Sequence, residues 1–390
     1  MQRSSDRILT THTGSLPRGE PLSSMLLAQE QGKPVDAARL EAATEARVAH
    51  VLEKQVEAGM GIVNDGEQGR VGFQTYILQR MSGFGGVSKR PYGKEFLQFP
   101  DFTQRMMARI PNHSKVFDAP QAIAEIKYHD TKSIGIEVDR MKRLSAAVKG
   151  NAAGFFMNAP SPGIIATTML NAYYKSHEDY LNAIAREIRG EYKAIVDAGF
   201  ILQIDAPDMA MERVLLFQDM SDAEFAKTVE QHVAALNTAL EGLPPDRVRL
   251  HVCWGNWEGP HNYDVGMDVI LPALYQAKVG GLSLEFANPR RQHEFAAIKR
   301  HRLPDSMVLI PGVIDSKSNF VEHPEVVAQR IEAAVAAVGD RERVVAGVDC
   351  GFGTFVGWEW VIEDVVWAKL RAQREGADIA TARLWGKKAA

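Results

Sequence analysis

The 390-residue chain contains two cysteines, Cys253 and Cys350, and the first lies in a stretch with chemical potential. Residues 247–261 read RVRLHVCWGNWEGPH, a short apolar strand pattern that runs into a loop of Gly, Trp and Pro. Side chains two apart on a strand point to the same side, so His251 and Cys253 are expected to converge on one point. An imidazole and a thiolate are two of the ligand types zinc favours. An isolated His-x-Cys can equally be a core cysteine beside a hydrogen-bonded histidine. Where the pair and Cys350 sit in the fold therefore decides between the two readings.

The totals bound what surrounds them. Hydrophobic residues make up 45% of the chain and charged residues 24%, the balance of a globular protein that can bury a large core. A formal charge of −4 is too small for a polyanion-binding surface, so nucleic acid is not an expected partner. No run approaches the roughly 18 apolar residues of a membrane span. The opening MQRSSDRILTTHTGS has no apolar segment after its charges, so no signal peptide is expected and the location should be cytoplasmic. A reducing cytosol argues against a disulfide between two lone cysteines, which are then buried small hydrophobes or chemical groups.

The elements that must position these residues repeat as strand, polar loop and helix. Residues 8–17 read as strand then loop, 36–59 as a helix, and 61–69 as a second short strand ending in polar residues and glycines. The alternation resumes with strands at 154–163, 201–208, 247–255, 281–289, 307–317 and 344–353. Helices are expected at 177–199, 221–240, 267–279, 290–301, 324–338 and 360–376. Between the two blocks, residues 71–150 show no clean period and carry Arg80, Lys89, Arg90 and Lys94. They read as an insertion, a small subdomain or lid over one end of the body. About eight strand–helix units with nearly continuous apolar strands fit a TIM (β/α)8 barrel better than a doubly wound open sheet. No Gly-x-Gly-x-x-Gly follows the first strand and no P-loop is present. Residues 1–390 are thus expected to form one α/β barrel catalytic domain.

Barrel enzymes work at the carboxyl ends of their strands. Those ends carry His12, Thr13 and Ser15, then Asp65 and Glu67, Asp205 and Asp208, His251 and Cys253, Glu285, Asp315 and Lys317, and finally Asp349 and Cys350. Both cysteines fall there, which favours the ligand reading. Glu285 ends the strand after His251-x-Cys253, close enough to give a fourth arm, or else to orient a ligand or bind substrate. His, Cys, Cys and a carboxylate form a set that suits zinc better than magnesium or calcium. Asp65, Glu67 and Asp208 can be read as helix caps, whereas Asp205 has no such role in reach and is expected to hold a cationic group. Trp254 and Trp257 either pack the barrel rim or form an apolar wall around the metal.

With these residues placed, the chain resembles the catalytic barrel of the cobalamin-independent methionine synthases. It is more similar still to the related epoxyalkane:coenzyme M transferase (2-hydroxypropyl-coenzyme M lyase) branch. The likeness spans nearly the whole length and rests on TTHTGSLPR, NDGEQG, QIDAPD, HVCWGNWEGPH, LEFANPR, PGVIDSKSNFVEHP and VDCGFG. It implies a zinc cofactor that binds and deprotonates a thiol, which then attacks an alkyl carbon. The implied ligands are His251, Cys253 and Cys350, with Glu285 displaceable; Ser15, Glu67 and Asp205 match positions that hold the amino-acid end of homocysteine.

Two departures stand out. The synthases read Asp-Glu-Pro-Ala where this chain has Asp205-Ala206-Pro207-Asp208, so one carboxylate is missing, as in the coenzyme M branch. Their proton-donating histidine corresponds to Lys317, which leaves Lys317 or His12 as candidates for the general acid. No counterpart of the larger synthases' additional N-terminal barrel is seen, which bears on binding of a polyglutamated folate. The expected activity is zinc-dependent methyl transfer, of the kind used in methionine biosynthesis, from an alkyl donor (methyl-folate-like or other) to homocysteine or a similar small thiol. Epoxide–thiol transfer or hydroxyalkyl-thioether lysis is the alternative. A zinc hydrolase fits less well, because two thiolate ligands make zinc a poorer activator of water. A homo-oligomer is compatible with the sequence.

Overall fold

The computed structural model describes residues 1–109 and 118–386. Its strands are β1 (Ile62–Val63), β2 (Met81–Gly85), β3 (Gln121–Tyr128), β4 (Gly154–Pro160), β5 (Ile201–Asp205), β6 (Val248–Val252), β7 (Gly281–Leu284) and β8 (Val308–Pro311). A parallel sheet runs β1-β4-β5-β6-β7-β8. Two further parallel segments, reduced to single bridges, close it into a ring: Thr11 pairs with Ile62, Thr10 with Ala346, and Leu309 with Val344. Eight parallel segments with helices outside them make the (β/α)8 barrel anticipated from the alternation.

The strands are shorter than their apolar runs because the carboxyl ends peel away into loops, and that is where the polar residues sit. The barrel's amino-terminal end is plugged by Leu9, Ile62, Phe156, Ile201, Val308, Ile310 and Val345. Above that plug the register places Asn158 beside Gln203 and Gln203 beside Arg249, so the next layer inward is polar. Outside, helices Ala37–Glu57, His177–Asp197 and Asp222–Ala239 are started by Asp36, Ser176 and Ser221, whose side chains accept first-turn N–H groups.

Several boundaries differ from expectation for physical reasons. Residues 71–150 are not irregular throughout. They hold the antiparallel pair β2–β3, a sheet separate from the barrel, and helix Thr131–Val148, which packs on Ala37–Glu57 and His177–Asp197. That helix belongs to the barrel's outer layer; Arg140 and Ser145 sit among its buried Ile134, Val138, Met141 and Val148 and blur the apolar period. Residues 110–117 of the same stretch lie outside the described residues. The last helix runs Glu363–Trp385, past Gly376. A Cβ there would meet Val327 at 2.5 Å, so this glycine permits close helix packing and does not end the helix. Helix Pro162–Thr168 is buried along its whole length and so has no amphipathic signature to read. No helix among the described residues is long and apolar enough to cross a membrane.

Candidate metal and substrate site

Asp205 on β5 pairs laterally with His251 on β6, so both side chains point into the barrel at its carboxyl end. Cys253 follows two residues later, just past the end of β6, and Cys350 arrives from the bridged segment next to β8. The ligand atoms of His251, Cys253 and Cys350 lie within 4.8 Å of one another. The two sulfurs, both free thiols, are 3.2 Å apart. All three residues are buried, and neither ring nitrogen of His251 has a hydrogen-bond partner. An unmet buried polar group costs about 1–3 kcal/mol. A cation bound by one nitrogen would remove much of that cost, and a nitrogen and two sulfurs are a donor set suited to zinc.

The electrostatics agree with a shared charge. The Cys253 thiol beside it brings Cys350 down to about 5 against the effect of burial, with His251 adding to the shift. The same contact with Cys350, together with burial, pushes Cys253 well up. Burial works against a charged His251, but the Cys350 sulfur together with Asp205 and Glu285 outweighs it and raises the imidazole pKa. Gly255 N–H donates to Cys253 Sγ at 3.2 Å, a backbone donor that favours the thiolate.

Glu285 stands beside this trio but outside its compact group. Its Oε1 lies 3.2 Å from Cys253 Sγ and accepts from Trp254 N–H at 3.1 Å. Its Oε2 pairs with Arg290 at 3.0 Å and Lys317 at 3.4 Å. Burial would raise this carboxyl, yet Lys317 and Arg290 hold it far below the usual range. Lys317 is correspondingly held protonated by Glu285 despite burial and does not line the cavity. It therefore acts as a charge partner and is badly placed to be a general acid. His12 is likewise turned to interior partners and does not line the cavity. Its Nε2 meets Gln55 at 2.6 Å, its Nδ1 accepts from Gly14 N–H at 3.2 Å, and burial brings it down to about 4.

A cavity of about 520 Å³ opens above the trio, and Thr13, Ser15, Glu67 and Asp205 complete its polar floor. Asp205 is fixed by donor–acceptor logic. Arg249, which can only donate, gives Nε–H to Gln203 Oε1 at 2.7 Å. The Gln203 amide must then present its NH2, which donates to Asp205 Oδ1 at 2.7 Å. Asn158 Oδ1 accepts from Asn64 at 3.0 Å, so its NH2 donates to Asp205 Oδ2 at 2.8 Å. Burial raises the Asp205 carboxyl above its ordinary value, with His251 and the two amide donors opposing the shift; both of its oxygens accept from those amides.

Glu67 is held in a left-handed conformation, φ 53°, unusual for a residue with a side chain. Asp65 Oδ1 accepts its N–H at 3.0 Å and Arg18 donates to its carbonyl at 2.9 Å. Its buried Oε2 has no donor, and burial plus Asp205 push the carboxyl up to about 8. Such strain at a cavity wall is a mark of function. Gly351 lets Ser15 reach the floor, since a Cβ there would meet Ser15 Oγ at 2.0 Å.

Of the two tryptophans only Trp257 lines the cavity. Trp254 is fully buried, donates to Val265 carbonyl at 2.7 Å and lies under Arg291, so the wall reading fails for it and rim packing holds. His261 stacks on Trp257 from behind. Asp208 is occupied by Ser161 (2.5 Å) and His232 (2.7 Å). Arg80 is buried against Glu137 and Glu191. Arg90 pairs with Glu212 at 2.6 Å, which leaves Lys89 as the lining cation without an acidic partner among the described residues.

Three contributors were not foreseen. Arg249 and Gln203 each stand two residues before a floor residue, on the same strand face, a spacing that was available. Asn158 likewise ends an apolar strand. Asp349 was noted only as a strand-end acid; it accepts from the N–H groups of Phe286, Ala287 and Asn288 at 2.8–2.9 Å and so fixes the loop behind Glu285.

Residues 114–374 match the protein family described as cobalamin-independent synthase, catalytic domain. The 2-hydroxypropyl-CoM lyase of Xanthobacter autotrophicus is 26% identical over 381 residues, 90% of this chain and 89% of that protein. A methionine synthase of Sulfolobus acidocaldarius is 25% identical over 346 residues, 88% of this chain and 85% of that protein. The B12-independent methionine synthase from Shewanella sp. W3-18-1, solved with selenomethionine, shares the fold with a TM-score of 0.72. Its identity is 21%, and the match covers 97% of this chain and 99% of that one. With the family match spanning well over half of its length, the chain belongs to the cobalamin-independent synthase catalytic-domain family.

Proposed function

We propose that the protein is a zinc-dependent thiol alkyltransferase that moves a methyl group to homocysteine or a similar small thiol. The observation that carries this reading is the convergence of His251, Cys253 and Cys350 on the cavity floor, with both His251 nitrogens unpartnered. These three residues would hold the ion, with Glu285 as the weak fourth ligand that a thiol displaces. Zinc, when bound, supplies the Lewis acidity that keeps a thiol deprotonated at neutral pH, where a free thiol of pKa about 8.5 is mostly protonated.

The chain's own residues would orient the substrate. Asp205, kept an acceptor by Gln203 and Asn158, suits the ammonium of an amino-acid thiol, and Glu67 and Ser15 stand on the same floor. Fixing the acceptor there lowers the entropic part of the barrier to an in-line displacement.

The coenzyme M type of reaction is the second reading, favoured by the similarity to the 2-hydroxypropyl-CoM lyase. A sulfonate thiol needs cations near its far end. Arg80 and Arg90 are committed to carboxylates and only Lys89 is left among the described lining cations, while the floor itself is acidic, so an ammonium thiol fits better. Isothermal titration of the zinc-loaded protein tests this: homocysteine should bind and 2-mercaptoethanesulfonate should not. Tight binding of the sulfonate thiol with none of homocysteine would contradict the methyltransferase reading.

A further inference from the structure

Above its polar floor the cavity changes character. The walls there come from Phe73, Phe96, Met211, Leu215, Trp257 and Phe355. Polar groups on the same segments are turned to partners within the protein. Trp257 Nε1 donates to Glu95 at 2.8 Å, Thr103 Oγ1 to the Phe96 carbonyl at 2.6 Å, and Ser88 Oγ to the Pro120 carbonyl at 2.8 Å. Arg90 is neutralised by Glu212. Among the described residues, what these walls present to the space is mostly hydrocarbon and ring surface. Among the described lining residues, Asp118 matches Lys89 in charge count only, and the floor adds Glu67 and Asp205. A chamber of this kind disfavours a multiply charged anion, which would be desolvated there without counter-charges. It favours an apolar body.

We propose that this chamber receives the alkyl donor, and that the donor is an uncharged molecule with a bulky, ring-containing apolar body. The proposal rests on the thiol alkyltransferase reading and names the second substrate's chemical class. The transferred carbon enters from the chamber side. Its bond to the acceptor sulfur forms as its bond to an oxygen or nitrogen of the donor breaks, and that heteroatom leaves with the electron pair and takes up the proton the thiol gives up. A thioether product therefore presents its S-substituent to the same walls.

Isothermal titration with S-substituted homocysteines tests the proposal on the zinc-loaded protein. The series is S-methyl (methionine), S-propyl, S-benzyl and S-(4-carboxybenzyl). Affinity should rise about fourfold for each methylene buried, S-benzyl should bind at least about tenfold more tightly than methionine, and the added carboxylate should cancel that gain. Leu215→Glu should erase the benzyl-over-methyl preference measured within the variant itself. Binding of methionine with no gain for the benzyl compound, or a gain from the carboxylate, overturns the chamber proposal alone. No binding of any thioether, methionine included, overturns the thiol reading and the proposal with it.

Discussion

At the scale of single residues, Asp205 has the most determined state in the site. Arg249 has only donors, so it dictates the orientation of the Gln203 amide, and Gln203 in turn dictates that Asp205 accept. Gln203→Glu preserves the pairing with Arg249 but replaces the donor with an acceptor. The variant is expected to keep its zinc and its fold. Its preference for homocysteine over the desamino analogue 4-mercaptobutanoate should drop about tenfold or more, the worth of a charge-assisted hydrogen bond; an unchanged preference would mean that the relay does not act on the substrate. Glu67 makes a different prediction. Burial and Asp205 push its carboxyl up to about 8, so it is neutral below that pH and gains charge as pH rises through it. Methionine, which has no thiol to titrate, should therefore bind several-fold more tightly at pH 8.5 than at pH 7, and Glu67→Gln should flatten the profile. These side chains were only partly legible in the sequence. His251, Cys253 and Cys350 stood out because strand spacing and residue type coincide, while His12 and Trp254 shared the strand-end position but turn to partners in the interior. Whether a strand-end side chain faces the cavity depends on loop geometry that a periodicity does not contain.

At the scale of elements, the parallel strands were readable because burial on both faces leaves near-continuous apolar runs. Their lengths were not, since the first and last segments pair only through single bridges. The pair β2–β3 escaped notice because its alternation is weak, with Gln121–Tyr128 buried chiefly at Ala122 and Ile126. Met81, Ala122 and Ile126 join the main apolar core, and a buried ionic cluster anchors the pair as well. Glu191, on helix His177–Asp197, accepts from Tyr76, from Tyr128 at 2.5 Å and from Arg80 at 2.9 Å. Removing one partner of a buried pair leaves an uncompensated charge. Glu191→Ala should thus lower stability by about 3–5 kcal/mol in urea unfolding, and a loss below about 1 kcal/mol would show that the cluster is not what ties the hairpin down.

At the scale of the whole molecule, the barrel separates folding from chemistry. The apolar plug of Leu9, Phe156, Ile201, Val308, Ile310 and Val345 closes one end, and the proposed ligands stand at the other, His251 on the end of β6 and the two cysteines beyond the strands. Loss of the metal should accordingly leave the fold in place, and Cys350→Ala is expected to lose most of its zinc while keeping the circular dichroism and cooperative unfolding of the parent. The central claim is that the metal held by His251, Cys253 and Cys350 is the place where the acceptor thiol binds. X-ray absorption at the zinc edge, recorded with and without homocysteine, tests it most directly. One nitrogen or more and two sulfurs are expected in the resting protein, and a third sulfur with loss of one light ligand when homocysteine is added. A first coordination sphere that homocysteine leaves unchanged, or zinc retained in full by Cys350→Ala, would contradict the claim.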